Sequence, residues 1–369
     1  MRNNKPVHIN KWLLPFSWLY GLIVFFRNKF FDWGILKRKS YNVPVICVGN
    51  ITVGGTGKTP HIEYLIRLLK KDYRVAVLSR GYKRQTKGFV LANQNSTARE
   101  IGDEPLQIKT SFQDILVAVD TNRCRGIERL LALDEEMRPE VILLDDAFQH
   151  RYVKPSFSIL LTDFNRPMSE DCLLPAGRLR EPVGHASAAN MIVITKCPQS
   201  AKPIDLRIST YNVNTFPYQD LLFTTLTYGS LFPLFAAASP SAKLTELKDK
   251  NVLLVAGIAN PDLLIGKLKK ASKTLETIIF ADHHNFSGID IRKINEVFDR
   301  MPAPKMIVIT TKDAARLRNV KGLSEQAKEA MYVLPVEVSF LNKDDEAKFN
   351  AKISDHVKKN TRNSRLHKK

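Results

Sequence analysis

The sequence predicts an α/β protein: a mostly parallel sheet with helices on both faces, a second, smaller α/β unit, and an apolar helix at the N-terminus. Three observations carry this. A glycine-rich stretch, Gly49-Asn50-Ile51-Thr52-Val53-Gly54-Gly55-Thr56-Gly57-Lys58-Thr59-Pro60, sits between a short apolar run and a helical repeat. Short apolar runs such as Val141-Ile142-Leu143-Leu144 recur along the chain and alternate with helical spacing. Residues 12–26 are apolar nearly all round.

The chain has 369 residues, enough for two domains that each bury a core. Its formal charge of +19 exceeds what solubility requires and points to an anionic partner: nucleic acid, an acidic membrane surface or a phosphorylated substrate. Cys47, Cys124, Cys172 and Cys197 are widely spaced and form no C-x-x-C pair, which suits structural thiols in a reducing compartment.

The run at 12–26 is too short to span a bilayer and lacks the small residues of a signal cleavage site. Trp12, Trp18, Tyr20 and Trp33 beside Lys11, Arg27 and Lys29 suit a helix lying in a membrane interface, with a core helix as the alternative. Next, Val45 to Val48 read as a buried strand, and Ile62, Leu65, Ile66 and Leu69 as one face of a helix. In that context the stretch between them is a phosphate-binding loop. The backbone of Thr52, Val53, Gly54, Gly55, Thr56, Gly57, Lys58 and Thr59 wraps an oxyanion, Lys58 reaches the β/γ-phosphates and the Thr59 hydroxyl holds Mg²⁺. Pro60 fits a first helical turn. The strict pattern has its first glycine where this chain has Thr52.

A second strand at 74–79 ends in the basic cluster Arg80-Gly81-Tyr82-Lys83-Arg84, beyond a strand C-terminus where phosphates bind in open sheets. Gly102-Asp103-Glu104-Pro105 reads locally as a helix start with Asp103 as N-cap. A third strand, 115–119, leads into Asp120-Thr121-Asn122-Arg123-Cys124-Arg125, and a fourth runs into Asp145-Asp146, the strand-end carboxylates a phosphate loop needs to hold Mg²⁺. Strands at 159–163 and 191–196 bracket a loop, 174–182, that carries Arg178, Arg180 and Glu181. Thr195-Lys196-Cys197-Pro198 lacks the acid of a guanine-recognition motif, so the expected nucleotide is ATP.

Periodicity fades at 203–215, and a second unit is expected from there, with strands at 221–226, 252–256, 277–280 and 306–310, helices at 261–270 and 289–300, and a last strand at 333–340. The expected organisation is therefore an interfacial helix at 1–36, a P-loop core at 37–215, a smaller α/β domain facing the active-site cleft at 216–340, and a C-terminal helix and basic tail at 341–369, disordered from 358. Asp282-His283-His284 provides only two imidazoles and one acid, so hydrogen-bonded histidines at a cleft are expected rather than a metal site.

These residues resemble the tetraacyldisaccharide 4'-kinases of lipid A biosynthesis over most of the chain. The resemblance rests on residues 49–60, Ser79-Arg80-Gly81-Tyr82, Gly102-Asp103-Glu104-Pro105, Asp145-Asp146-Ala147-Phe148-Gln149-His150, residues 174–182, Ala256-Gly257-Ile258-Ala259-Asn260-Pro261, Asp282-His283-His284 and Thr311-Lys312-Asp313. The family usually has glycine where Ala147 stands and often where Lys83 stands. The resemblance implies transfer of the ATP γ-phosphate to the 4'-hydroxyl of a tetraacyldisaccharide 1-phosphate, giving lipid IVA, at the cytoplasmic face of the bacterial inner membrane. It implies Asp103 as base, paired with His283 from the other domain, and so reverses the N-cap reading. Lys58 completes the catalytic set, Thr59 with Asp145 or Asp146 holds Mg²⁺, and Arg80, Glu104, Arg123, Arg180 and Glu181 are charge-stabilising or substrate contacts. The basic excess then meets an anionic membrane surface, with neither a nucleic acid nor a protein partner expected. The rival class is a membrane-associated switch or partitioning ATPase. Such proteins carry a lysine before the glycine pair, where this chain has Val53.

Overall fold

The computed structural model describes residues 9–366, apart from 236–240, 259–260, 282–283 and 319. In chain order its strands are β1 (Val45–Gly49), β2 (Val75–Ser79), β3 (Val90–Leu91), β4 (Leu116–Val119), β5 (Val141–Asp145), β6 (Phe157–Asp163) and β7 (Met191–Thr195). There follow β8 (Asp220–Tyr228), β9 (Phe232–Pro233), β10 (Asn251–Ala256), β11 (Thr274–Ile279), β12 (Lys305–Thr310), β13 (Met331–Leu334) and β14 (Val336–Phe340). The helices are α1 (Leu14–Asp32), α2 (Lys58–Leu69), α3 (Ala98–Ile101), α4 (Asp103–Ser111), α5 (Arg123–Leu131) and α6 (Pro203–Val213). The last five are α7 (Asp262–Ala271), α8 (Gly288–Arg300), α9 (Thr311–Leu317), α10 (Glu325–Glu329) and α11 (Lys343–Leu366).

A nine-stranded sheet has the order β14-β8-β7-β6-β1-β5-β2-β4-β3, parallel except for its two edge strands. β1 is central because both of its faces are covered. Ile46 and Val48 pack into one core with Ile62 and Ile66 of α2, and Val45 and Cys47 into the other with Ile127 of α5. The chain leaves β1 toward β2 on one side, while β6 lies on the other, so a crevice opens at the strand C-termini where the order reverses. The five-stranded sheet has the order β11-β10-β12-β13-β9, with its own cores on its two faces.

The expected boundary of a second domain at 216 is corrected by this pairing. β8 lies parallel to β7, and β14 antiparallel to β8, so both extend the first sheet. The second sheet is an insertion between them. Likewise the single strand expected at 333–340 is two strands in different sheets, divided at Pro335, which has no N–H to continue a ladder. The tail expected to be disordered from 358 is helical as far as Leu366, where Phe349, Ile353 and Val357 anchor α11 on the first core.

α1 lies on the surface with Val24 and Phe31 turned inward, and Phe16, Trp18 and Ile23, with Trp12 and Trp33 just beyond its two ends, are all more than 60% exposed. Its C-terminal end is held by Arg151, whose guanidinium meets Asp32 at 2.6 Å and the Asn28 carbonyl at 3.1 Å. No helix among the described residues is long and apolar enough to cross a membrane.

Candidate active site

The phosphate loop follows β1 with the geometry its residues predict. Gly57 has φ +85°, a left-handed conformation that strains any residue with a Cβ, and α2 starts at the next residue, Lys58. For loop N–H groups to point inward at a phosphate, the carbonyls must point outward, and each then needs a donor. The structure supplies one for three successive residues. Lys196 Nζ donates to the Gly55 carbonyl, Thr195 Oγ1 to the Thr56 carbonyl at 2.9 Å, and His61 Nδ1 to the Gly57 carbonyl at 2.8 Å. Burial holds His61 near a pKa of about 4, so its ring is neutral and Nε2 accepts from the Thr224 hydroxyl at 3.2 Å. Thr52, the departure from the strict pattern, is extended and bridges Leu179 antiparallel, while Val53 N–H donates to the Arg178 carbonyl at 2.7 Å. Extended backbone suits threonine, so the position has no need of glycine.

The two acids after β5 occupy different environments. Asp146 adopts φ +48°, a strained value for a residue with a side chain. This conformation aims its carboxylate at Lys58 Nζ, 3.6 Å away, and at the Arg180 guanidinium, 2.9 and 3.2 Å away. Burial pushes Asp146 up, but Lys58 and Arg180 outweigh it and hold the carboxyl below the usual range. Asp145 is 1% exposed, and neither carboxylate oxygen has a hydrogen-bond partner among the described residues. Burial, with Glu104 and Asp146 adding negative charge nearby, pushes its pKa up to about 7. An unpartnered buried carboxylate costs free energy unless a cation joins it, so the donor set fits Mg²⁺, which takes few protein ligands and completes its shell with phosphate and water. Among the described residues no three or more His, Cys, Asp and Glu side chains form a metal cage by themselves.

Facing the acids is the start of α4. Gly102, with φ +92° and ψ 161°, occupies a conformation open essentially to glycine alone, and it is Gly102, not Asp103, that stands at the N-cap. The N-cap reading of Asp103 is therefore corrected: the residue begins the helix, and its carboxylate points to Arg316 of α9, which donates from Nη2 at 2.6 Å and Nε at 3.1 Å. Arg316 is buried and also donates to the His284 carbonyl at 3.3 Å. His283 lies outside the described residues. Its neighbour His284 is hydrogen-bonded to Asp290 at 3.0 Å and stacked on Phe280.

The remaining predicted contacts divide. Arg80 is exposed at the end of β2. Arg123 is 2% exposed and donates from Nη1 to the Asp120 carbonyl at 2.7 Å and from Nη2 to the Asp145 carbonyl at 3.3 Å, so it is bonded to the backbone beneath the acids. Arg180 joins the site through Asp146 and the Asn50 side chain. Glu181 does not: fully buried, it turns the other way to Arg27 and Asn28 of α1 and to His185. Burial raises its pKa, but hydrogen bonds from His185 and Asn28 and the charge of Arg27 outweigh this and keep it ionised. Lys83, where the resembled family often has glycine, adopts φ +61°, which explains that preference sterically.

The family model for tetraacyldisaccharide-1-P 4'-kinase matches residues 9–358. The chain belongs to that family. It is 53% identical to a tetraacyldisaccharide 4'-kinase from Phocaeicola vulgatus, covering 97% of this chain and 98% of the relative. It is 51% identical to one from Bacteroides thetaiotaomicron, covering 97% and 96%. The solved "apo" form of LpxK from Aquifex aeolicus in complex with ATP superposes with a TM-score of 0.74 at 31% identity, covering 94% of this chain and 99% of that one.

Within this kinase family fold, sequence reasoning missed Arg316, Thr195, Lys196 and His61. Arg316 is 213 positions from its partner, and nothing local marks it. Thr195 and Lys196 were read only for base specificity, although their place at the end of β7, beside the loop, was the available signal. Thr195→Val, which keeps the shape and removes the hydroxyl, is expected to leave the Thr56 carbonyl unsatisfied and raise the KM for ATP by about fivefold or more. Steady-state ATP titration reads this directly.

Proposed function

We propose that this chain transfers the γ-phosphate of ATP to the 4'-hydroxyl of a tetraacyldisaccharide 1-phosphate, giving lipid IVA and ADP. The observation that carries the reading is that a phosphate side, Lys58, Asp145 and Asp146, lies near a second group, Asp103 held by Arg316, whose neighbour Glu104 is close enough to help push the Asp145 pKa up. A switch ATPase has no use for the second.

Phosphoryl transfer needs positioning and charge neutralisation more than covalent help from the protein. Lys58 and the N–H groups of residues 54–59 hold the β- and γ-phosphates. Asp103 takes the proton as the 4'-oxygen forms its bond to phosphorus and the β,γ-bridging bond breaks, with His283 paired to it in this reading. Arg80 stands where it can neutralise the transferring charge, and Arg123 supports Asp145 from below. Mg²⁺, held by Asp145 or Asp146 with Thr59, supplies charge neutralisation at the phosphates. The Asp103–Arg316 pair ties α4, beside the first sheet, to α9, which follows β12 of the second.

The acceptor is a lipid, and α1 offers an exposed apolar face with Lys29 and other cations beside it, the chemistry of a helix lying in the interface of an anionic membrane. This supports peripheral or monotopic association with a membrane; the cytoplasmic face of the inner membrane is where the proposed lipid substrate would be met. Trp12→Ala combined with Trp18→Ala is expected to lower partitioning into anionic vesicles by about tenfold or more, and raising salt from about 0.1 to about 0.5 M to weaken it further. Vesicle sedimentation measures both, and lipid-free ATP affinity should not change. The deciding experiment incubates the protein with labelled ATP, Mg²⁺ and tetraacyldisaccharide 1-phosphate; failure to form a doubly phosphorylated lipid would overturn the assignment.

A further inference from the structure

α1 has a second face that a membrane anchor does not require. Along the side turned to the protein, Ser17 Oγ donates to the Leu173 carbonyl at 2.9 Å and accepts from Ala176 N–H at 2.9 Å. Tyr20 hydroxyl donates to the Arg180 carbonyl at 2.9 Å. Arg27 and Asn28, the latter at 2.9 Å, donate to the Glu181 carboxylate. All of these contacts fall on one segment, residues 173–181.

The opposite side of that segment is bonded to the phosphate loop. Arg180 N–H donates to the Ile51 carbonyl at 2.7 Å, Val53 N–H to the Arg178 carbonyl at 2.7 Å, and the Arg180 guanidinium grips Asp146 and Asn50. Adjacent residues thus face opposite ways: Glu181 is held by α1, and Arg180 holds the nucleotide side. A buried carboxylate keeps its charge only while its donors stay in place, so the position of Glu181, and with it the Arg180 backbone, depends on α1. Residues that orient a ligand's partner in this manner commonly change affinity by one order of magnitude or more when removed.

We infer that α1 is a positioning element of the phosphoryl-transfer site: Tyr20, Arg27 and Asn28 fix the Arg180-Glu181 pair and thereby the direction of the Asp146 carboxylate. The inference rests on reading Asp146 as part of the nucleotide and metal site. It makes α1 a link between the lipid surface and the nucleotide.

The test uses the full chain with two charge-neutral changes, Tyr20→Phe and Asn28→Ala, singly and together, beside Asp146→Asn. Three quantities are read: binding to anionic vesicles, the Kd of ATP with Mg²⁺ by calorimetry in the absence of lipid, and kcat and KM on detergent-dispersed tetraacyldisaccharide 1-phosphate. The double variant is expected to bind vesicles as the unmodified chain does, while its lipid-free Kd for ATP with Mg²⁺ rises about tenfold, with Tyr20→Phe alone giving a smaller rise in a chain that differs by one hydroxyl. Normal lipid-free ATP affinity and normal turnover in the double variant, with Asp146→Asn impaired, would overturn the inference alone. Loss of vesicle binding with unchanged lipid-free ATP affinity would also overturn it, leaving α1 an anchor only. Normal turnover in Asp146→Asn would overturn the site reading and the inference with it.

Discussion

Replacing Asp103 with alanine is expected to lower turnover on the lipid acceptor by about 10² to 10⁴-fold, the usual contribution of a positioned general base, while the Kd for ATP stays within about twofold. The second half follows from the division of roles: Lys58 and the loop backbone hold the phosphates, whereas Asp103, bonded to Arg316 of α9, serves the acceptor in the proposed reaction. The alanine variant carries a complication that the structure makes explicit. Arg316 is buried, and removing Asp103 takes away the carboxylate it holds at 2.6 Å while Asp313 remains at 3.9 Å, so the destabilisation is expected to fall below the ~3 to 5 kcal/mol of a fully broken buried pair. Asp103→Asn separates the two effects, because the amide oxygen still accepts from Arg316 Nη2 while the basic oxygen is gone. Equal loss of turnover in both variants, with a smaller drop in thermal midpoint for asparagine, assigns the proton to Asp103. Full turnover in Asp103→Asn would show that the residue serves only to hold the two sheets together.

Asp145→Asn is expected to move stability and activity in opposite directions. Turnover with Mg²⁺ falls by about 10²-fold or more, since a ligand-bearing charge worth several kcal/mol at the transferring phosphate is lost. In metal-free buffer the same variant is more stable than the unmodified chain at pH 8, because an uncompensated buried charge has been removed. The sign with pH follows from linkage. With its folded pKa raised to about 7, above the ordinary value of about 3.9, Asp145 is protonated in the folded chain while the unfolded chain has already released its proton. Folding therefore loses stability as pH rises through that window, the penalty being absent below it and complete above it. Metal-free melting from pH 4 to 8 should show a decline attributable to Asp145 that the asparagine variant lacks. An unchanged difference between the two proteins across that range would refute the raised pKa.

How much of this was legible beforehand differs by element. β1, the phosphate loop and α2 were readable because all their determinants are local: a five-residue apolar strand, glycine at the left-handed position 57 and an apolar helical face. The strand-end acids were readable for the same reason, as period and sequence order place them beside the loop. The boundary of the second unit was not, because β8 and β14 carry ordinary strand patterns and only pairing decides which sheet takes them. Asp103 shows the limit more sharply. A Gly-Asp-Glu-Pro turn is a good helix start by every local rule, yet the packing of α4 on α9 turns that carboxylate to Arg316.

The sequence by itself determined the fold class, the phosphate loop, the paired acids and the exposed apolar character of the N-terminal helix, since each depends on residues within about one helix or strand of one another. Only the tertiary structure decided that Asp145 is unpartnered while Asp146 is paired, that Glu181 belongs to α1 and not to the nucleotide, and that Arg316 holds Asp103. Charge state and hydrogen-bond partner are properties of what surrounds a side chain. Those surroundings come from segments tens to hundreds of residues away, and burial then sets how much each contact is worth.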